Sequence, residues 1–191
     1  MDSTHLILDF WFGAEGGAGA GQPRDVWFRK DPAFDAEIAR RFGPLMEAAA
    51  LGDLEAWRTG ALSALALVIL LDQFPRNVHR GEPAAFAADA AALAVARHAV
   101  AHGLDQQVLP VQRWFFYLPF EHAEDLAAQD QSVRLFEALP EHPGREGVID
   151  YAHRHRDVIR RFGRFPHRNA ILARPSTPAE IEFLKQPGSS F

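Results

Sequence analysis

A chain of 191 residues is the size of one domain, long enough to bury roughly 70% of the surface its unfolded form would expose. It holds no cysteine, which removes disulfides, thiolate nucleophiles and sulfur-bound zinc and leaves His, carboxylate, Arg and hydroxyl groups to carry any chemistry. A net charge of −5 argues against general nucleic-acid binding. The longest apolar run, Ala61 to Leu71, is too short to cross a bilayer and no secretory leader pattern opens the chain, so a cytoplasmic protein is expected, with neither nucleic acid nor membrane as partner.

Helix punctuation recurs from end to end, and β-branched runs of alternating polarity hardly occur. Thr4 is expected to cap a short apolar helix that Gly13 ends, because glycine enters left-handed conformations cheaply. Residues 13 to 21 form a glycine-rich loop, expected to be flexible, whose glycines match neither a phosphate-binding loop nor a dinucleotide fingerprint. Asp31 followed by Pro32 reads as a cap with proline in the first turn. Phe34, Ile38, Phe42, Leu45 and Ala49 then recur at helical spacing up to Gly52. A second helix is expected from about Asp53, bringing in Leu54 and Trp57 before the stretch Ala61 to Leu71. That stretch is apolar all round and belongs at the centre of the packing.

Pro83 is expected to open an alanine-rich helix that ends at Gly103, with Phe86, Leu93 and Val100 on one face and Asp89 and Arg97 away from it. Pro110 starts the aromatic segment Trp114-Phe115-Phe116-Tyr117. Pro119 is expected to kink or break it before a helix carrying Leu126, Val133, Phe136 and Leu139, which Pro140 stops. A further helix buries Val148, Ala152, Ile159 and Phe162 and ends at Gly163. Thr177-Pro178-Ala179-Glu180 is a capping box, and the tail 187–191 is expected to fray. The pattern predicts a single all-α domain over residues 1–191, an antiparallel helical array.

Between Arg145 and Arg174 eight arginines face three acids, an excess of five positive charges in a chain of opposite net sign. Two segments there and upstream resemble one another: Gln73-Phe74-Pro75-Arg76-Asn77 and Arg164-Phe165-Pro166-His167-Arg168-Asn169. In one reading proline ends a helix, phenylalanine plugs the core, and the Arg-Asn pair bonds the last carbonyls. In the other, the two loops face each other and gather Arg76, His79, Arg164, His167 and Arg168 into a pocket for carboxylate or phosphate, with Asn77 and Asn169 beside them.

Asp72 directly follows the apolar run, so it is expected to be at least half buried and to need a partner, such as Arg76 one turn on. Glu121-His122-Ala123-Glu124-Asp125 is read as a helix start, where acids cap free amides, with His122 available as acid or base. His155 shares the apolar stripe of its helix and is expected to be partly buried. The chain has no His-Glu-x-x-His and no paired Glu-x-x-His, so neither a metal nor a cofactor is expected.

Leu8-Asp9-Phe10-Trp11-Phe12-Gly13, the segment 71–77, the segment 116–125 and the segment 162–169 occur in an order that resembles the uncharacterised bacterial family called domain of unknown function 924. The chain departs from that pattern at Glu121, where methionine is usual, and at Ala123, where serine is usual. The resemblance implies a helical fold similar to tetratricopeptide repeats, although the two Phe-Pro motifs stand 91 residues apart, no multiple of a period of about 34 residues. It implies no activity and no catalytic residue.

Three functions remain open. The first is binding of a small anionic ligand or an acidic peptide end by Arg76, Asn77, His122, Arg164, His167, Arg168 and Asn169. The second is an enzyme, a hydrolase or transferase, in which Asp72 and His122 or His155 move protons while arginines steady negative charge. The third is a helical scaffold acting through an apolar groove.

Overall fold

A computed structural model describes residues 2–14, 16–17 and 19–190, and among them the fold is all helical, with no strand. Two positions of the 13–21 loop, and Phe191 of the tail, lie outside the described residues.

Helix α1 (Ser3–Phe12) is capped by Asp2, whose carboxylate accepts from His5 N, rather than by Thr4. Its C-terminal carbonyls do not face solvent: Arg24 Nη1 donates to the Phe10 and Trp11 oxygens and Trp27 Nε1 to Trp11 O at 2.7 Å. The return of the glycine-rich loop is thereby tied to the first helix. Helix α2 (Pro32–Leu51) starts on the Asp31 cap and stops at Gly52, which takes φ 86°. The helix expected from Asp53 is instead a 3₁₀ turn, Glu55–Thr59, too short to offer more than a bridge between α2 and α3 (Ala61–Val68).

The central apolar helix does not end at Pro75. It passes from α3 through a π-helical turn, Ile69–Gln73, into α4 (Phe74–Val78) as one continuous helical stretch. Proline lacks an N–H and its ring clashes with the carbonyl four residues back. The π turn, in which Phe74 N bonds Ile69 O, widens the helix ahead of that position and so lets Pro75 sit inside it. The stretch is thereby long and apolar enough to cross a membrane by composition, yet most of it is buried within the protein, as a core helix is. The stretch Pro83–Ala101 passes the same test, but it is divided between a 3₁₀ turn (Pro83–Phe86) and α5 (Asp89–Ala101) and carries Asp89 and Arg97.

Pro119 likewise lies within α6 (Pro110–His122), which runs on to residue 122 instead of breaking. Glu121 and His122 therefore close α6; they do not open the next helix. Asp125 alone caps α7 (Leu126–Glu137), accepting from Ala128 N at 2.8 Å. Helix α8 (Arg145–Phe162) runs between Gly144 and Gly163, and α9 (Pro178–Leu184) starts on the Thr177–Glu180 capping box. The tail is anchored beyond the expected fraying point: Ser189 is buried and its hydroxyl donates to Leu184 O at 3.1 Å.

Short connections join α6, α7 and α8, which pack against one another in chain order and must therefore alternate in direction; α5 lies against α3 and α6. Rings from α1, α2, α4 and α6 make the core: Phe10 stacks on Phe34 at 4.9 Å, Phe42 on Phe74 at 5.1 Å, and Trp11 meets Phe115 edge-on at 5.7 Å. This wall of rings fixes α4 and the end of α6 side by side, which is what positions the polar groups described next.

Candidate functional site

The π turn carries Asp72 into the interior with no exposed surface. A buried carboxylate must be paired, and three side chains do so. His122, from the end of α6, lies with Nδ1 2.8 Å from Asp72 Oδ1; Arg76 Nη1 lies 3.0 Å from the same oxygen; Gln73 Nε2 donates to Oδ2 at 2.5 Å. Burial alone would raise the Asp72 pKa, but Arg76, His122 and Gln73 outweigh it and hold the carboxyl well below its usual range. An ionised carboxylate only accepts, so the proton of neutral His122 sits on Nδ1 and Nε2 keeps its lone pair. Burial, then the charge of Arg76, lower the His122 pKa against the opposing pull of Asp72, which keeps the ring neutral near pH 7.

Arg76 and Arg168, one from each of the two similar segments, meet at one residue. Arg76 contacts Asp89 through Nη1–Oδ1 at 2.8 Å and Nη2–Oδ2 at 3.0 Å, and Arg168 Nη1 reaches Asp89 Oδ2 at 3.2 Å. Both arginines also tie helix carbonyls: Arg76 donates to Asp72 O at 2.8 Å and Arg168 to His122 O at 3.0 Å. Arg168 is 6% exposed, and its guanidinium lies 4.5 Å from the Phe86 ring centre and 4.6 Å from that of Phe165. Burial, then the neighbouring charge of Arg76, push its pKa down to about 10. Its Nε–H has no hydrogen-bond partner among the described residues.

Glu121 is the second buried carboxyl, 3% exposed. Oε1 lies 3.1 Å from His155 Nδ1, while Oε2 has no partner among the described residues. Burial, then the negative charge of Asp72, push its pKa up to about 8, so it is protonated near neutrality and offers an O–H. His155 Nδ1 lies 2.8 Å from Tyr151 O, which can only accept, so that nitrogen carries the proton. Burial holds His155 at about 3 and His167 at about 4, and both rings are neutral.

One cavity of about 710 Å³ takes in these groups. Arg76, Asn77, Glu121, His122, His155, His167 and Arg168 all line it, and Asp72 stands directly behind His122. The Asn77 amide is already bonded to Asp35 at 2.8 Å. Arg164 and Asn169 lie elsewhere. Arg164 grips Glu180 with two hydrogen bonds at 2.7 and 2.8 Å, beside a separate and more open surface hollow, and Asn169 is buried between Ser176 and Arg174. Arg164 precedes and Asn169 follows the 3₁₀ turn Pro166–Arg168, and of this segment only His167 and Arg168, within the turn, line the cavity. His79 pairs with Glu82 instead, at 3.4 Å. Among the described residues no group of three or more His, Asp or Glu side chains could hold a metal.

Two members of the site, Glu121 and Asp89, are not among the site residues expected from the sequence. Glu121 had a usable signal, since it ends a run of nearly uninterrupted apolar residues just as Asp72 does. Asp89 is a lone acid on an alanine-rich helix, and nothing local marks its two arginine partners.

A sequence profile of the family described as bacterial protein of unknown function (DUF924) matches residues 7–188. The chain belongs to the DUF924 family. A solved structure of a protein of unknown function from Agrobacterium tumefaciens is similar to it, with 44% identity over 95% of this chain and 96% of that chain and a TM-score of 0.85. No curated protein matches the chain. DUF924 membership and the Agrobacterium structure thus support the helical array, and the chemistry rests on the residues themselves.

Proposed function

We propose that the cavity binds a small anionic molecule or the acid end of a peptide, with Arg168 as anchor. The observation that carries this reading is Arg168, a buried cation that lines the cavity beside the rings of Phe86 and Phe165 and whose Nε–H has no hydrogen-bond partner among the described residues. An unmet donor on a buried cation is costly to leave and strong when met by an anionic oxygen. A cytoplasmic setting suits the reading, because small carboxylated and phosphorylated metabolites are plentiful there. The tetratricopeptide-like description belongs to the same proposal and rests on the chain-order packing of α5 through α8.

A second reading, an enzyme, is favoured by the Asp72–His122 pair, in which a buried carboxylate fixes the imidazole tautomer and leaves Nε2 as a base. In that case the arginines would steady negative charge developing on the substrate.

The test is a thermal-shift series of wild type and Arg168→Lys against carboxylated and phosphorylated metabolites. Lysine keeps the charge but loses the forked donors. The expected result is a ligand-specific rise in wild-type Tm that the variant loses; equal responses from both proteins would count against the pocket.

A further inference from the structure

The cavity has two unlike ends. The polar end is Arg76, Arg168, His122 and Glu121. The other is apolar and aromatic: Trp27, Trp114, Leu118 and Phe136 present buried faces to it, and Val148 closes it from α8. Phe28, 62% exposed, and Tyr151, 49% exposed, also line it and leave apolar surface in water. A space of about 710 Å³ is the size that holds a drug-sized molecule. An acetate or an inorganic phosphate would fill a small corner and leave the ring-lined part to water.

We propose that the occupant is an amphiphilic monocarboxylate, with its carboxylate at Arg168 and Glu121 and a medium-length apolar chain lying against Trp27, Trp114 and Phe136. This rests on the anion-site reading above and adds the body of the ligand to it. The head group follows from the charges on the wall. Arg76 and Arg168 stand against Asp72 and Asp89, so the cluster is already close to neutral, and a head group with one negative charge leaves less charge uncompensated there than a dianion would. Arg168 and Glu121 both line this end, and each has a buried polar atom, Nε and Oε2, with no hydrogen-bond partner among the described residues: a guanidinium can donate to one carboxylate oxygen, and the Glu121 carboxyl, protonated near neutrality, to another once these side chains turn toward the ligand. The body follows from the opposite wall, where apolar contact gains with each methylene that leaves water.

Gly147 gives a way to block the apolar end without disturbing the fold. It lies within α8 and lines the cavity, and a Cβ built on it meets nothing within 4 Å. Gly147→Leu therefore adds a side chain at the cavity wall, where the bare Cβ has open space, and also replaces a helix-destabilising residue.

The experiment is a titration of the full chain at pH 7 with butyrate, hexanoate, octanoate, 1-octanol and inorganic phosphate, followed by the fluorescence of its tryptophans, two of which line the cavity. Wild type, Arg168→Lys and Gly147→Leu are compared, with circular dichroism confirming that each is folded. The expected result is a Kd that falls about two- to fourfold per added methylene from butyrate to octanoate, with 1-octanol and phosphate each at least tenfold weaker than octanoate. Arg168→Lys should weaken octanoate about tenfold and leave 1-octanol unchanged, and Gly147→Leu should abolish the chain-length dependence.

If affinity ignores chain length but is still lost in Arg168→Lys, the amphiphile proposal is overturned while the anion site stands. If chain length matters and Arg168→Lys has no effect, the head-group anchor, and with it the anion-site reading, is overturned. If phosphate binds as tightly as octanoate, the single-charge argument fails and the proposal with it.

Discussion

His122 Nδ1 and Asp72 Oδ1 lie 2.8 Å apart although 50 residues of chain separate them, and each belongs to a helix that continues through a proline. His122 lies three residues beyond Pro119, so a break there would take it away from Asp72. The π turn sets Asp72 inside the core, and the uninterrupted end of α6 lays His122 across it. Asp72→Asn keeps the shape and removes the charge that faces Arg76 and His122. Removing one partner of a buried ionic cluster costs about 3 kcal/mol, and a lowered urea midpoint with unchanged m-value is the expected outcome.

Stability should peak between about pH 6 and pH 7. Glu121, at about 8 in the fold against its ordinary 4.5, holds a proton that the unfolded chain releases, so its contribution falls as pH rises from 4.5 to 8. His155 and His167, at about 3 and about 4 against 6.5, are neutral in the fold where the unfolded chain is charged, so their contribution is lost as pH falls below 6.5. Glu121→Gln should flatten the alkaline limb, which otherwise slopes by up to ~1.4 kcal/mol per pH unit, and leave the acid limb in place. Denaturant melts from pH 4 to 9 measure both.

Two glycines near the start of α8 should respond in opposite ways. Gly144 has φ 83°, and a Cβ there would come within 2.8 Å of Trp114 Cη2 and 3.1 Å of Pro23 Cγ. Gly144→Ala should cost about 1–3 kcal/mol and shift the Trp114 emission. Gly147 is helical with open space around it, so Gly147→Ala should stabilise by about 0.5–1 kcal/mol. Thermal melts of the two single variants settle the comparison.

Arg164 serves as a control outside the cavity. Its two hydrogen bonds to Glu180 hold α9 against the loop after α8. Arg164→Ala should lower Tm by a few degrees and leave octanoate affinity within twofold of wild type, as titration of the variant would show.

The helix ends marked by local chemistry were legible in the sequence. The Asp31 cap, the stops at Gly13, Gly52 and Gly163, and the Thr177–Glu180 capping box depend on a few adjacent residues and occur where those residues stand. Proline opposes helix in isolation, so the sequence leaves open an end at Pro75 and a kink or break at Pro119, yet the burial of Phe74, Phe115 and Phe120 holds both helices through them. At the site, the burial of Asp72 followed from the apolar run before it. The likeness of the two Phe-Pro segments groups Arg164 and Asn169 with Arg168, yet Arg164 turns to Glu180 and Asn169 to Ser176 and Arg174. Asp89 was missed because its partners lie 13 and 79 residues away.

The most direct test of the account is a crystal structure with 8-bromooctanoate, whose bromine marks the far end of the chain by anomalous scattering. The carboxylate is expected within hydrogen-bond distance of the Arg168 guanidinium and the bromine peak beside Trp27 and Trp114. A bromine peak at the arginine end, or a ligand seated elsewhere on the protein with this cavity empty, would contradict it.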